Sequence, residues 1–261
     1  MHFTKYQGAG NDFILIDARE SLPVELTDHT RIAKLCDRHF GIGADGLMLL
    51  RHAKGYDFEM LYYNSDGRPS TMCGNGGRCI VAFAKELGID RPLYHFLAVD
   101  GPHQAEILPD GHISLGMTDV MAIQRMGSDY VLDTGSPHYV SYVTDCQSIN
   151  VIEAARAIRY NAPFKEKGIN VNFVEINDQG LALRTYERGV ENETLACGTG
   201  VTAAAITLAI EDDLAIGAPF DYPVSARGGA LRVSGRRTEA GFIDLRLVGP
   251  AEKVFVGTVE V

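Results

Sequence analysis

The sequence predicts an α+β fold, and three observations carry that prediction. Short β-rich runs dominate the chain, four stretches carry helix signals, and one element, a cysteine-glycine turn leading into a helix, occurs twice. A chain of 261 residues with 46% hydrophobic content can bury a sizeable core, as two domains or one large one.

The strand signals are runs rich in β-branched and aromatic residues, including Phe58 to Tyr63, His138 to Val143, Asn170 to Ile176 and Leu181 to Glu187. Asp66-Gly67, Asp110-Gly111 and the stretch Asn177 to Gly180 mark turns between them. The helix signals span Asp28 to Cys36, Asn75 to Leu87, Val151 to Arg159 and about Thr199 to Ile210. Two boundaries have a mechanism. Asn150 with Glu153 three residues later forms a capping-box pattern, and Gly88 can adopt the left-handed conformation that ends a helix.

The repeated element is Met72-Cys73-Gly74-Asn75-Gly76-Gly77 in the first half and Ala196-Cys197-Gly198-Thr199-Gly200 in the second. Each follows a β-rich region, and the 124 residues between the cysteines are close to half the chain, which predicts two similar lobes facing each other. A thiol has an ordinary pKa of about 8.5, but a helix N-terminus, with its unpaired N–H groups and dipole, favours the thiolate. The flanking glycines let the backbone approach a ligand, and the first-turn N–H groups can bind a carboxylate or a developing oxyanion. One such turn suggests a cysteine nucleophile. Two that close on one substrate suggest a thiolate removing a proton from carbon while a thiol returns one on the other face, which is a two-base racemase or epimerase.

Composition narrows the alternatives. The formal charge of −10, from 34 acidic and 24 basic residues, comes with no Lys/Arg run suited to phosphates, so no nucleic-acid partner is expected. The first residues lack a signal-peptide pattern and no apolar run reaches membrane-spanning length, so no membrane partner and a cytoplasmic location are expected. Five cysteines are an odd, sparse set that reads as thiols in a reducing compartment. Cys36, Cys79 and Cys146 read as small core residues, and the six-residue step from Cys73 to Cys79 suits neither a shared helix face nor a zinc half-site.

Taken together the motifs resemble the diaminopimelate epimerase family. The resemblance rests on the segments Lys5 to Phe13, Arg38 to Gly46, Tyr63 to Gly67, Met72 to Arg78, Gly135 to His138, Asn170, Glu187 to Gly189, and Glu193 to Gly200. It implies lobes that are each a curved, mostly antiparallel sheet or barrel around a central helix. Residues 1–117 would carry Cys73, with a strand at about 250–261 available to complete that lobe, and residues 118–249 would carry Cys197. It also implies interconversion of LL-2,6-diaminopimelate and its meso form, in lysine and peptidoglycan precursor synthesis, with no metal and no pyridoxal phosphate or other cofactor. Cys73 and Cys197 would be the acid/base pair. Asn11, Asn64, Asn170, Glu187 and Arg188 would hold the substrate's polar groups, and Gly74, Asn75, Gly198 and Thr199 its reacting carboxylate. His138 and Glu187 would tune the thiols. The expected partner is a small amino-acid substrate, and a homodimer is left open.

Three positions depart from the family pattern. Ser136 stands where many members have asparagine, Gly46 where some have a glutamine, and Val190-Glu191-Asn192 lengthens the loop before the second cysteine. Asn75 favours the diaminopimelate branch over proline racemases and hydroxyproline epimerases, which typically have histidine there. A competing reading is a dithiol redox protein, although no Cys-x-x-Cys motif is present.

Overall fold

The structure, a computed structural model, describes residues 1–20, 26 and 28–260. The chain divides into two compact units, Met1–Leu115 with the C-terminal residues from Gly249 onward, and Gly116–Val248.

The N-terminal unit runs β1 (His2–Gly8), β2 (Asn11–Asp17), α1 (His29–Cys36), β3 (Gly46–Arg51), β4 (Phe58–Asn64), β5 (Pro69–Ser70), α2 (Gly74–Glu86), β6 (Tyr94–Ala98), β7 (Gly101–Ile107) and β8 (Ile113–Gly116). The C-terminal unit runs β9 (Ile123–Met126), β10 (Asp129–Asp133), β11 (Pro137–Tyr142), α3 (Val151–Arg159), β12 (Asn170–Asn177), β13 (Gly180–Glu187), β14 (Asn192–Thr194), α4 (Gly198–Glu211), β15 (Pro219–Ala226), β16 (Gly229–Arg237) and β17 (Phe242–Gly249). The last strand, β18 (Glu252–Thr258), returns to the N-terminal unit beside β1.

Both sheets follow one plan. The N-terminal order is β18-β1-β2-β3-β4-β6-β7-β8, antiparallel except for the parallel steps β2–β3 and β4–β6, with β5 as a short arm on β4. The C-terminal order is β9-β10-β11-β12-β13-β15-β16-β17, with parallel steps at β11–β12 and β13–β15 and β14 as the arm on β13. Parallel neighbours need a crossover, and α1, α2, α3 and α4 supply those between β2 and β3, β4 and β6, β11 and β12, and β13 and β15. Each sheet is an open path of strands, not a closed barrel.

The crossover helices differ in burial because they differ in sequence. α4 is apolar almost all round and is buried along nearly its whole length, and α2 is buried from Gly74 to Val81. They are the central helices. α1 buries only Ile32, Leu35 and Cys36, packing with Ile14, Ile16, Leu47 and Leu49 on the opposite sheet face, and α3 does the same with Val151 and Ala155 against Val171 and Phe173. Strands packed on both faces are therefore continuously apolar, as in Phe13-Ile14-Leu15-Ile16.

The helix and strand signals match these elements to within about a residue. The central helices begin one residue earlier than predicted, at Gly74 and Gly198, which makes each cysteine the N-cap. Asn150 Oδ1 accepts from Glu153 N at 3.4 Å, while the Glu153 carboxylate returns to the Asn150 side-chain amide at 3.0 Å rather than to its backbone. Gly88, at φ 85°, ends α2 with its N–H on Lys85 O.

Candidate active site

Cys73 and Cys197 hold the same position in their units. Each is an extended N-cap without a side-chain capping bond, and the first intrahelical bonds run from Gly77 N to Cys73 O (2.7 Å) and from Val201 N to Cys197 O (2.9 Å). The helix itself therefore supplies no acceptor for the N–H groups of residues 74–76 and 198–200, which point the positive end of the dipole at the cysteine turn. Glycine is needed here for close approach. A Cβ on Gly76 would collide with Met48 Cε, and one on Gly200 with Asn172 Oδ1. The helices thus sit low on their sheets, and the turn is fixed by what lies beneath it.

Beneath Cys197 that floor is polar and fully bonded. His138, Asn170, Asn172 and Thr185 are all buried. Asn172 Nδ2 donates to Tyr139 O (2.9 Å) and to His138 Nδ1 (3.0 Å), and its Oδ1 accepts from Thr185 Oγ1 (3.0 Å). An Nδ1 that accepts leaves the proton on Nε2, which donates to Thr199 Oγ1 at 2.8 Å. Thr199 Oγ1 also lies 3.3 Å from Cys197 Sγ, and accepting from the imidazole leaves its own hydrogen available to donate there. Burial, with Arg188 nearby and against the Asn172 bond, pushes His138 down to about 3, so the imidazole is neutral. Asn170 joins the rest: its Nδ2 donates to Ser136 Oγ (2.8 Å) and Pro137 O (3.1 Å), and its Oδ1 accepts from Arg188 N (2.8 Å).

The Cys73 side is built differently. Asn11 Nδ2 donates to Asp45 Oδ2 at 2.5 Å, which turns Asn11 Oδ1 toward Cys73 Sγ (3.7 Å) and Asn75 Nδ2 (3.4 Å). Asp45 is held by Arg38 (2.7 Å), which also grips Asp12 through both terminal nitrogens, and Lys5 reaches Asp12 at 2.8 Å. Against burial, which would raise it, the bonds from Arg38 and Lys5 hold Asp12 at about 2. Behind the turn lies a fully buried arginine. Arg78 donates to Asn75 Oδ1 (3.1 Å), Gly74 O (3.3 Å) and Pro250 O (3.1 Å), and burial pulls its guanidinium below the ordinary range.

Of the residues singled out from sequence, the N-terminal unit brings Asn11, Gly74 and Asn75 to Cys73, and the C-terminal unit brings Gly198, Thr199, His138, Asn170 and the Arg188 backbone to Cys197. Asn64 is exposed at the end of β4 and its N–H closes the turn onto Arg68 O at 2.9 Å. Glu187 ends β13 and accepts from Thr194 Oγ1 at 2.5 Å. The longer loop at 190–192 is pinned by Glu191, whose carboxylate meets Arg159 (3.0 Å), Tyr160 (2.9 Å) and Tyr186 (3.1 Å). Sequence reasoning missed Asp45, Arg78, Asn172 and Thr185. Asn172 had a signal, since two asparagines two residues apart put two amides on one face of an otherwise apolar strand. Cys36, Cys79 and Cys146 are buried thiols, and burial pushes Cys36 and Cys79 up to about 12 and Cys146 to about 11.

Comparison with known proteins follows the same lines. The family model described as "Diaminopimelate epimerase" matches residues 3–123 and 130–252. A diaminopimelate epimerase of Flavobacterium psychrophilum is 45% identical over 261 residues, covering 99% of this chain and all of that one. That of Chlorobaculum tepidum is 41% identical, covering 97% of this chain and 98% of its own. Among solved structures, a phenazine biosynthesis protein of the PhzF family from Bacillus anthracis superposes with a TM-score of 0.78 at 13% identity, covering 100% and 99% of the two chains. A probable proline racemase from Agrobacterium radiobacter gives 0.68 at 13%, covering 100% and 93%. At such identities the structural matches speak to the fold.

Proposed function

We propose that this chain, which belongs to the diaminopimelate epimerase family, interconverts LL-2,6-diaminopimelate and meso-diaminopimelate in lysine and peptidoglycan precursor biosynthesis. It is an amino-acid epimerase that uses its own side chains and no pyridoxal phosphate. One cysteine removes the α-proton, and the other returns a proton to the opposite face of the resulting carbanion. The observation that carries this reading is that Cys73 and Cys197 cap corresponding helices in two units of identical strand order.

The surroundings support a division of labour. Cys73 Sγ faces a carbonyl oxygen, which can only accept, an arrangement that suits a thiol acid. Cys197 Sγ faces the Thr199 hydroxyl, which has a hydrogen to give, an arrangement that suits a thiolate base. The N–H groups at 74–76 and 198–200 are suited to the reacting carboxylate and to the charge that develops on it. Asn11, Asn64, Asn170, Glu187 and Arg188 are assigned to the substrate's remaining polar groups, and His138 acts through Thr199.

Offering the purified protein LL-diaminopimelate, proline and a panel of other L-amino acids in deuterated water tests the reading. The expected result is a change in optical rotation with LL-diaminopimelate and deuterium at the α-carbon of the product. Turnover of proline alone would overturn the substrate assignment.

A small-molecule substrate, with neither nucleic acid nor membrane as partner, and a cytoplasmic setting complete the proposal. Among the described residues no helix is long and apolar enough to cross a membrane. We also propose a homodimer, supported by the exposed apolar side chains of Val254, Phe255 and Val256 on β18. Sedimentation equilibrium tests it.

A further inference from the structure

The two units place different residues at one corresponding pair of positions. The first residue of β12 is Asn170, and the third from the end of β13 is the small Thr185. In the N-terminal unit the sizes are exchanged: β3 begins with Gly46, and the third residue from the end of β4 is Tyr62. The exchange is sterically coupled. A Cβ on Gly46 would lie 2.5 Å from Tyr62 Cε2 and from Tyr63 O, and 3.1 Å from the Tyr62 hydroxyl oxygen. The phenol therefore fills the space that the side chain of the strand's first residue takes in the other unit. Its hydroxyl arrives where Asn170 presents its amide.

Tyr62 also lies on the functional face. Alternation along β4 puts it on the side of Met60, which lies 3.6 Å from the Cβ position of Gly76 in α2. Tyr62 is the next residue on that face toward the strand end from which the chain leads to Cys73. Its ring packs edge-on against the buried Phe13 (centroids 5.9 Å apart, 79° between planes), yet the residue is only half-buried. A tyrosine anchored by its ring beside a cysteine turn, with part of its surface open, presents a hydroxyl to a ligand.

We propose that Tyr62 is a substrate-selecting residue whose hydroxyl hydrogen-bonds the ammonium or carboxylate of the non-reacting end of the diamino acid, and that Gly46 is the residue that makes room for it. This rests on the epimerase reading above and adds a contact to it.

Steady-state kinetics of Tyr62→Phe test it, because phenylalanine keeps the ring against Phe13 and removes only the hydroxyl. KM for LL-diaminopimelate rises roughly three- to tenfold, the scale of one hydrogen bond, with kcat within about twofold. A second pair of variants transplants the C-terminal arrangement. Tyr62→Thr raises KM, and adding Gly46→Asn to it restores part of the loss, whereas Gly46→Asn alone, with Tyr62 still in place, lowers the melting temperature. An unchanged KM in Tyr62→Phe, or a fall in kcat alone, overturns the assignment. The wild type run alongside separates the two claims. An inactive wild type refutes the substrate reading, and the Tyr62 comparison is then made with whichever amino acid of the panel turns over.

Discussion

The floors beneath the two cysteine turns are built on one plan from opposite materials. Under Cys197, His138 and Asn172 form a buried, neutral, fully bonded network; under Cys73 the corresponding places hold Phe13 and Met48. Polarity moves behind the turn in the N-terminal unit, where Arg78 takes the carbonyl of Gly74, as Thr202 takes that of Gly198 at 3.0 Å in the other. The lesson is that topology places a cysteine at a helix N-terminus, while the side chains beneath it set which way its hydrogen bonds run. Above the apolar floor the Cys73 sulfur meets the Asn11 carbonyl oxygen, and above the polar one the Cys197 sulfur meets the Thr199 hydroxyl.

The largest effect tests whether both turns are needed. Cys73→Ala and Cys197→Ala should each lower kcat by roughly 10²–10⁴-fold, the range for loss of a general acid or base, measured by deuterium exchange and optical rotation. Near-wild-type turnover in either would reduce the comparison to one working site and one relic.

Stability separates the floors next. Met48→Ala should cost about 2–5 kcal/mol by leaving a cavity under Gly76. Asn172→Ala should cost about 1–3 kcal/mol by orphaning buried partners. Urea melts of both variants check the ranking, and an Asn172 cost above that of Met48 would show the polar network to be the stiffer support.

Only the C-terminal floor titrates. His138 ordinarily ionises near 6.5 and is held at about 3 in the fold. Between those values the unfolded chain binds a proton that the folded chain refuses, so this residue's contribution to stability is fully present above about 6.5 and is lost as pH falls toward 3. The slope is about 1.4 kcal/mol per pH unit in that window. Denaturant melts at pH 4 to 7 should show it in the wild type and not in His138→Gln; equal slopes would mean the imidazole is protonated in the fold.

The smallest effect concerns the hydrogen-bond directions. Thr199→Val removes the donor at Cys197, and Asp45→Ala frees the Asn11 amide to turn its donor toward Cys73. These changes should move opposite limbs of the kcat/KM–pH profile, each by about half a unit to one unit. Shifts of the same limb would contradict the division between a resting thiol and a resting base.

Local chemistry made much of this legible. Asn150, Gly88 and the paired Cys-Gly turns announce their roles within a few residues, because caps and helix starts are short-range events. Asn11, Asn75 and Thr199 could be named from their motifs. Asp45 and Arg78 could not be given roles, since the partners that define them, Asn11 and Pro250, lie 34 and 172 residues away in the chain. The Gly46 position looked like a missing side chain in sequence. Its meaning came only from the cross-strand neighbour, Tyr62, which nothing in the linear pattern pairs with it.

The return of β18 also orders events in time. Residues of the C-terminal unit are contiguous, so everything that unit needs has been synthesised by Val248. The N-terminal unit, although made first, lacks β18 and the Pro250 carbonyl that Arg78 requires until the C-terminal unit has been made. On a ribosome emitting about 5–20 residues per second the older half must wait for the younger one to finish. Cys73, made well before Cys197, is thus the later of the two to receive its full support, and the nascent chain holds a half-built N-terminal unit for the whole time its C-terminal partner is being made.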